Sequence, residues 1–366
     1  MKPNLLISFI LLFFTQNTFG QLKIIDSNNE PIANAHIIVN DTKQGITSNL
    51  DGTIPLSELL KSYESDSSRV TIQHIAYQNM DLTIGDLKSN TNIVMSERPI
   101  LLNDISVYPS SKYDYIVIKG FFRSYQQNNS IFKYYTDGVI EYYIPKKGNQ
   151  LRFKVTEYRS FRNKILVDKE LKESSGVIMK LASIPHIEIG TLFDEIKSKY
   201  KLADAKFGKN IILEDYIVGT IKEDTAKNIV HIEIDKIAPK KEKTYVLMGN
   251  ISKIKNITIS EIYLINTNRN IAKYHLESRK EYRKLYFLQK KSNEEELIES
   301  VHDFYATEIK YITKKEFKSV NAEKDTSLRE SHLYHSEYWS DMIEKYHIPP
   351  LNPLLEMELN KTLIMY

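Results

Sequence analysis

The sequence predicts a mainly β protein, with a small N-terminal β-sandwich followed by a larger α+β body built on a curved antiparallel sheet with a few helices. Two observations predict it. Between residues 22 and 96 short β-branched runs alternate with turn residues, and from Phe132 to about Tyr311 the apolar residues recur with period two, the spacing of a strand with one buried face. Length gives the number of bodies: 366 residues, at about 100–200 residues per domain, ask for two.

The first 20 residues read as a secretory leader. Lys2 supplies the positive end, Leu5 to Phe14 is an apolar run broken by Ser8, and Thr18-Phe19-Gly20 offers small residues for cleavage before Gln21. The apolar run is shorter than the roughly 20 residues a bilayer span requires, so no transmembrane span is expected after leader removal. The chain has no cysteine. Neither a lipidated-cysteine anchor nor a disulfide can form, and after export the fold must hold by packing. The expected location is the periplasm, or a site associated with the outer membrane or outside the cell. Charge is nearly balanced, 50 basic against 47 acidic residues, which excludes a dedicated nucleic-acid binder.

The first body is expected over residues 21–108. Residues 22–25 form a strand, Asn28-Asn29-Glu30 turns, and Pro31 follows where no ladder donor is needed. Residues 35–39 form the next strand, with His36 and Ile38 on one face and Ile37 and Val39 on the other. Asn49-Leu50-Asp51-Gly52 reads as a tight turn in which Gly52 takes positive φ. Residues 57–63 suit a helical turn, and 70–76 and 91–95 supply further strands. Taken in order, Leu22-Lys23-Ile24-Ile25-Asp26, Glu30-Pro31-Ile32-Ala33-Asn34-Ala35, Ile37-Ile38-Val39, Gly45, Asp51-Gly52, His74-Ile75-Ala76-Tyr77 and Ile100 to Val107 resemble the carboxypeptidase-regulatory-like domain, as found at the front of exported proteins of Bacteroidetes type. The chain departs from that pattern with Gln21-Leu22 and Ala76-Tyr77, where the family carries Gly. The resemblance implies an Ig/prealbumin-like sandwich and a cell-envelope protein. It does not imply a peptidase: none of the nine His has Glu three residues later, so the His-x-x-Glu pair of zinc carboxypeptidases is missing.

The second body is expected over residues 109–366, after Pro109-Ser110-Ser111. Residues 113–125 read as a helix with Ile116, Phe121, Phe122 and Tyr125 along a stripe, ended by Asn128-Asn129. Strands are expected at 141–144, 151–158, 211–220, 230–235, 243–249 and 257–265. Residues 266–270 join 262–265 to 271–276 as a β-hairpin. Thr191-x-x-Asp194 starts a short helix, and Ser292-x-x-Glu295 reads as a capping box opening a helix over 294–305. In the tail, Tyr334, Tyr338 and Trp339 precede Met342, Ile343 and Tyr346 on a helix stopped by Pro349-Pro350. A last helix is expected over 353–364, and a loop over 319–331. Such a meander must cover one apolar face, either with a helix or by curling into a half-barrel. The 261–276 hairpin resembles the half-barrels of periplasmic lipoprotein carriers, which implies a concave face able to hold an acyl chain.

No reactive centre is legible. Gly-x-Ser-x-Gly, Gly-x-Gly-x-x-Gly and the P-loop are missing. His332 and His335 share a helix face but lack a third ligand at the usual spacing. Glu214-Asp215 and Glu223-Asp224 fall at strand ends, and the basic run 279–284 reads as a solvated strand edge, with contact to acidic lipid headgroups or surface polysaccharide as its functional alternative. The expectation is therefore a non-enzymatic exported envelope protein with no catalytic, cofactor-binding or metal residue. Its partner would be an envelope protein or an apolar ligand. A lipid or lipoprotein carrier and an enzyme of unrecognised type are the alternatives.

Overall fold

The structure is a computed structural model. It describes residues 22–40, 45–60, 65–100, 113–148, 150–173, 179–240, 242–247, 249–265, 271–290, 294–323 and 338–366. The leader, the 101–112 connection, the 266–270 turn, Tyr334 and the His332/His335 pair lie outside them.

The front body packs two small sheets around one core. Strands β1 (Lys23–Ile25) and β6 (Asn92–Val94) pair in parallel. The other sheet runs β3-β2-β4-β5, built from β2 (His36–Val39), β3 (Gly45–Thr47), β4 (Arg69–Gln73) and β5 (Met80–Thr83). Helices α1 (Leu56–Leu60) and α2 (Ile84–Ser89) connect the strands. Ile24, Ile37, Val39, Val70, Ile72, Leu87 and Ile93 fill the space between the sheets. Gly52 does take positive φ, +77°, and Asp51 closes the turn by accepting the Thr53 N–H at 3.0 Å. The expected split of β2 holds, because Ile37 and Val39 enter this core while Ile38 packs in a different cluster, against the second body.

The second body is one twelve-stranded sheet. Its strands are β7 (Tyr115–Asn128), β8 (Ile131–Pro145), β9 (Arg152–Asn163), β10 (Lys201–Ala205), β11 (Gly208–Leu213), β12 (Tyr216–Asp224), β13 (Ile229–Asp235), β14 (Lys243–Leu247), β15 (Asn250–Leu264), β16 (Leu276–Leu288), β17 (Glu295–Ile312) and β18 (Leu363–Met365). The order is β10-β11-β12-β13-β15-β16-β17-β7-β8-β9-β18, with β14 hanging from β15, and every pairing is antiparallel. The sheet is curved and does not close into a barrel. Helices are short: α3 (Lys164–Glu173), α4 (Leu192–Lys199), α5 (Lys314–Lys318), α6 (Tyr338–Lys345) and α7 (Pro353–Glu358). Helix α4 starts where expected, with Thr191 and Asp194 forming a reciprocal cap.

Several expectations are corrected. Residues 113–125 and 294–305 are not helices. They lie in β7 and β17, which pair with each other along 14 register positions. Both strands are buried on both faces, so the period-two pattern is hidden and chance i, i+4 spacings imitate a helix. Residues 211–220 are two strands, reversed at Glu214 and Asp215, whose φ of 50° and 68° make a two-residue turn. The 261–276 hairpin exists, but its second strand begins only at Leu276, after a 3-10 turn over Lys273–His275. The last helix stops at Glu358, and β18 then pairs with β9.

The run 279–284 is neither an edge nor solvated. It lies in β16, flanked by β15 and β17, with Arg279 6% and Lys280 9% exposed. Arg279 binds Glu261 and Glu281, and Lys280 lies 3.5 Å from Asp303.

Both faces of the central strands are covered by the chain itself. On the inner face a strap from Met179 to Gly190 leads into α4. Gln126 accepts the Leu181 N–H at 2.6 Å and donates to the Met179 carbonyl at 3.0 Å, and Ser124 donates to the Ser183 carbonyl at 2.6 Å. Ile184, Ile187, Leu192 and Ile196 then pack on Ile118, Phe122, Tyr142 and Phe304. The sandwich covers the outer face. Here Ile38 packs with Tyr125, Tyr282 and Val301, and Ile75 packs with Phe121, Ile262 and Tyr305.

Tight approach fixes Gly120 in β7, since a Cβ there would collide with the Tyr305 carbonyl and the Phe304 ring. Gly120→Ala is expected to lower stability by about 1–3 kcal/mol through overpacking, despite the better strand entropy of Ala. Chemical denaturation checks this, and an unchanged midpoint would refute the close approach.

Candidate functional site

Among the described residues, two histidines and a glutamate bring their donor atoms together where the sandwich meets the outer face. The segment after β4 brings His74, and β13 brings His231 and Glu233, two positions apart and so on the same side of the strand. Glu233 is opposite Ser260 on β15. His74 Nε2 lies 2.7 Å from Glu233 Oε1, His231 Nε2 lies 3.5 Å from the same oxygen, and His231 Nε2 lies 2.7 Å from Ser260 Oγ. The two imidazole rings meet edge to face at 5.3 Å.

Burial sets the protonation. Desolvation, reinforced by Lys280, drives His74 down to about 3. Desolvation also takes His231 to about 4, against the attraction of Glu233, and the same burial raises Glu233 above the usual carboxylate value. At neutral pH both imidazoles are uncharged.

Two imidazoles and a carboxylate with donor atoms within 4.8 Å of one another match a zinc ligand set by type. One hydrogen bond decides against it. The Ala76 N–H donates to His74 Nδ1 at 3.1 Å, so the proton of the neutral ring sits on Nε2 and is donated to Glu233. That nitrogen has no lone pair for a cation. The cluster is a hydrogen-bond chain linking the two bodies, from His74 through Glu233 to Ser260 and His231.

Ion pairs surround it. Arg98, after β6, donates from Nη2 to both Glu277 oxygens at 2.9 and 2.8 Å and from Nε to the Ile75 carbonyl at 3.0 Å, with its guanidinium 5.4 Å from the Tyr305 ring centroid. Lys222 donates to the Pro31 carbonyl at 2.7 Å, and Lys227 pairs with Glu97. Between these pairs lies a cavity of about 730 Å³, lined by Tyr77, Arg98, Lys222 and His231 among others.

Sequence reasoning missed this cluster. His74 belongs to the quoted His74-Ile75-Ala76-Tyr77 element, and His231 and Glu233 alternate with Val230, Ile232 and Ile234. Their alternation reads as a solvated face, and only the docked sandwich buries it. Of the acidic pairs weighed from sequence, Glu214-Asp215 sits in the β11–β12 turn, and Asp224 ends β12 and caps its own turn through Ala226 and Lys227.

No family model and no curated protein matches this chain. A solved structure concerning lipid–protein interactions in lipovitellin superposes with a TM-score of 0.26 and 10% sequence identity, over 63% of this chain and 28% of that one. The chain thus spans under a third of that protein's length, and at this level of overlap neither fold nor ligand is carried across.

Proposed function

We propose that this chain is a non-enzymatic, exported cell-envelope protein, in which a carboxypeptidase-regulatory-like sandwich is locked onto a second body that binds an apolar, anionic surface. The buried His74–Glu233 hydrogen bond between the two bodies supports a structural role for this pair.

One observation carries the binding reading. The β14–β15 hairpin is the only part of the described sheet where a whole strand is exposed, and it presents Tyr245, Val246 and Leu247 at 46, 68 and 72% exposure. The segment 240–255 carries Lys240, Lys241, Lys243, Lys253 and Lys255 against Glu242 alone. An exposed apolar strand with Lys243 at its start and Lys253 and Lys255 on the partner strand, these two paired with Glu295 and Glu242, complements an anionic lipid surface. A hollow-carrier reading has less support, because the long acyl chains of a lipid laid along the inner face would have to displace the strap and α4. Among the described residues no helix is long and apolar enough to cross a membrane.

Vesicle flotation tests this. The protein should float with vesicles containing phosphatidylglycerol, less so at high salt, and not with neutral phosphatidylcholine vesicles. The double change Val246→Asp/Leu247→Asp should weaken binding at least about tenfold, from lost apolar burial, with the melting temperature unchanged. Absence of wild-type flotation with anionic vesicles would sink the reading.

A further inference from the structure

We infer that the cleft between α4 and the inner face of the sheet is a binding site for a small anion, a carboxylate or phosphate group, anchored by Lys273. The cleft is about 500 Å³, within the usual range for small-molecule sites. Lys273 lies in the 3-10 turn before β16 and lines the cleft. It is only 6% exposed, and its Nζ has no hydrogen-bond partner among the described residues. An ammonium so placed is costly to bury unless an anion joins it.

The neighbouring charges are already matched. Glu195 binds Lys236 at 2.6 Å and Lys199 at 3.1 Å. Asp194 accepts from the Thr191 hydroxyl at 2.6 Å. Glu261 accepts from Tyr263 on one oxygen and from Arg279 on the other. Glu188 lines the cleft as well, so its charges balance, four acidic against four basic; Lys273, attracted by Glu261, Glu188 and Asp194, is the one lining cation whose nitrogen has no hydrogen-bond acceptor among the described residues. Leu192 and Ile259 also line it, so the anion can carry an apolar body. Burial pulls Lys273 below the ordinary lysine value, partly countered by Glu261. A bound anion would push it back up, so binding at alkaline pH takes up a proton.

The test uses the whole chain with two probes, inorganic phosphate and octanoate. Calorimetry at a series of pH values from 7 to lysine's ordinary range, each in two buffers of different ionisation enthalpy, should show saturable binding with proton uptake appearing as the pH rises. Preference for octanoate would assign an organic carboxylate, and preference for phosphate a phosphorylated ligand. Lys273→Met should weaken binding at least about tenfold and abolish the proton uptake, while the unliganded variant melts no lower than wild type. Lys199→Met, at the rim, should bind as wild type. Should Lys273→Met fail to fold, Gly190→Leu serves instead: Gly190 lines the cleft, and a Cβ there meets no atom within 4 Å, so the side chain can block entry while leaving the lysine. Neither probe binding wild type, or equal binding to Lys273→Met or Gly190→Leu, would overturn the assignment.

Discussion

Lowering the pH from 7 to 5 is expected to remove about 4–8 kcal/mol of stability. Four histidines carry the effect. Burial, modified by nearby charges, holds His36 and His74 near 3 and His231 and His302 near 4, against 6.5 in a free chain. Well above pH 6.5 they are neutral in both states and contribute nothing. Below it the unfolded chain takes up protons that the native state refuses, so stability falls with pH until about 4 to 3. At pH 5 each contributes a loss of about 2 kcal/mol. Glu233 and Glu299, raised by burial, act in the opposite sense, because the folded state binds their protons first, and this trims the sum. Against a total stability of about 5–15 kcal/mol, the protein should stand near its unfolding transition at pH 5. His36 isolates the cause. Neither of its ring nitrogens has a partner among the described residues, and the ring lies 4.9 Å from that of Tyr282. His36→Phe keeps the ring contact and removes the titration, and should recover about 2 kcal/mol at pH 5. Urea midpoints at pH 7, 6 and 5 check both statements, and a flat wild-type profile would refute the burial of the histidines.

Arg98→Met is expected to cost about 3–5 kcal/mol, because it leaves the Glu277 carboxylate buried without its partner. The side chains are 2% and 9% exposed, and the pair bridges the sandwich and β16. The loss belongs to the stranded charge more than to the bond. Arg98→Met/Glu277→Leu should therefore regain most of it, since a matched apolar pair can replace a buried ion pair. Lys227→Ala removes a half-exposed pair with Glu97 at the rim of the same junction and should cost no more than about 1 kcal/mol. Equal losses for Arg98→Met and Lys227→Ala would show that the junction is hydrated and that Arg98 is not a buried anchor.

Much of the local structure was legible in the residues themselves. The reciprocal cap of Thr191 and Asp194, the Gly52 turn, the division of β2 between two faces and the alternation in β13 each depend on a few consecutive side chains. The sheet-wide reading of 132–311 as antiparallel strands rests on the same period. What failed was the middle of the sheet. In β7 and β17 polar groups such as Arg123, Ser124, His302 and Asp303 are buried, and a buried polar residue breaks the apolar alternation that marks a strand. The basic run in β16 misled for the same reason, as its charges answer Glu261 and Asp303 on neighbouring strands.

The residues alone determined where the backbone extends, turns or caps, because those preferences come from side-chain shape and spacing over a few positions. Only the tertiary structure decided which polar residues are buried and matched. His74 meets Glu233 across 159 positions and Arg98 meets Glu277 across 179. Whether a charge is solvated or locked depends on partners that far away, and no local pattern carries that information.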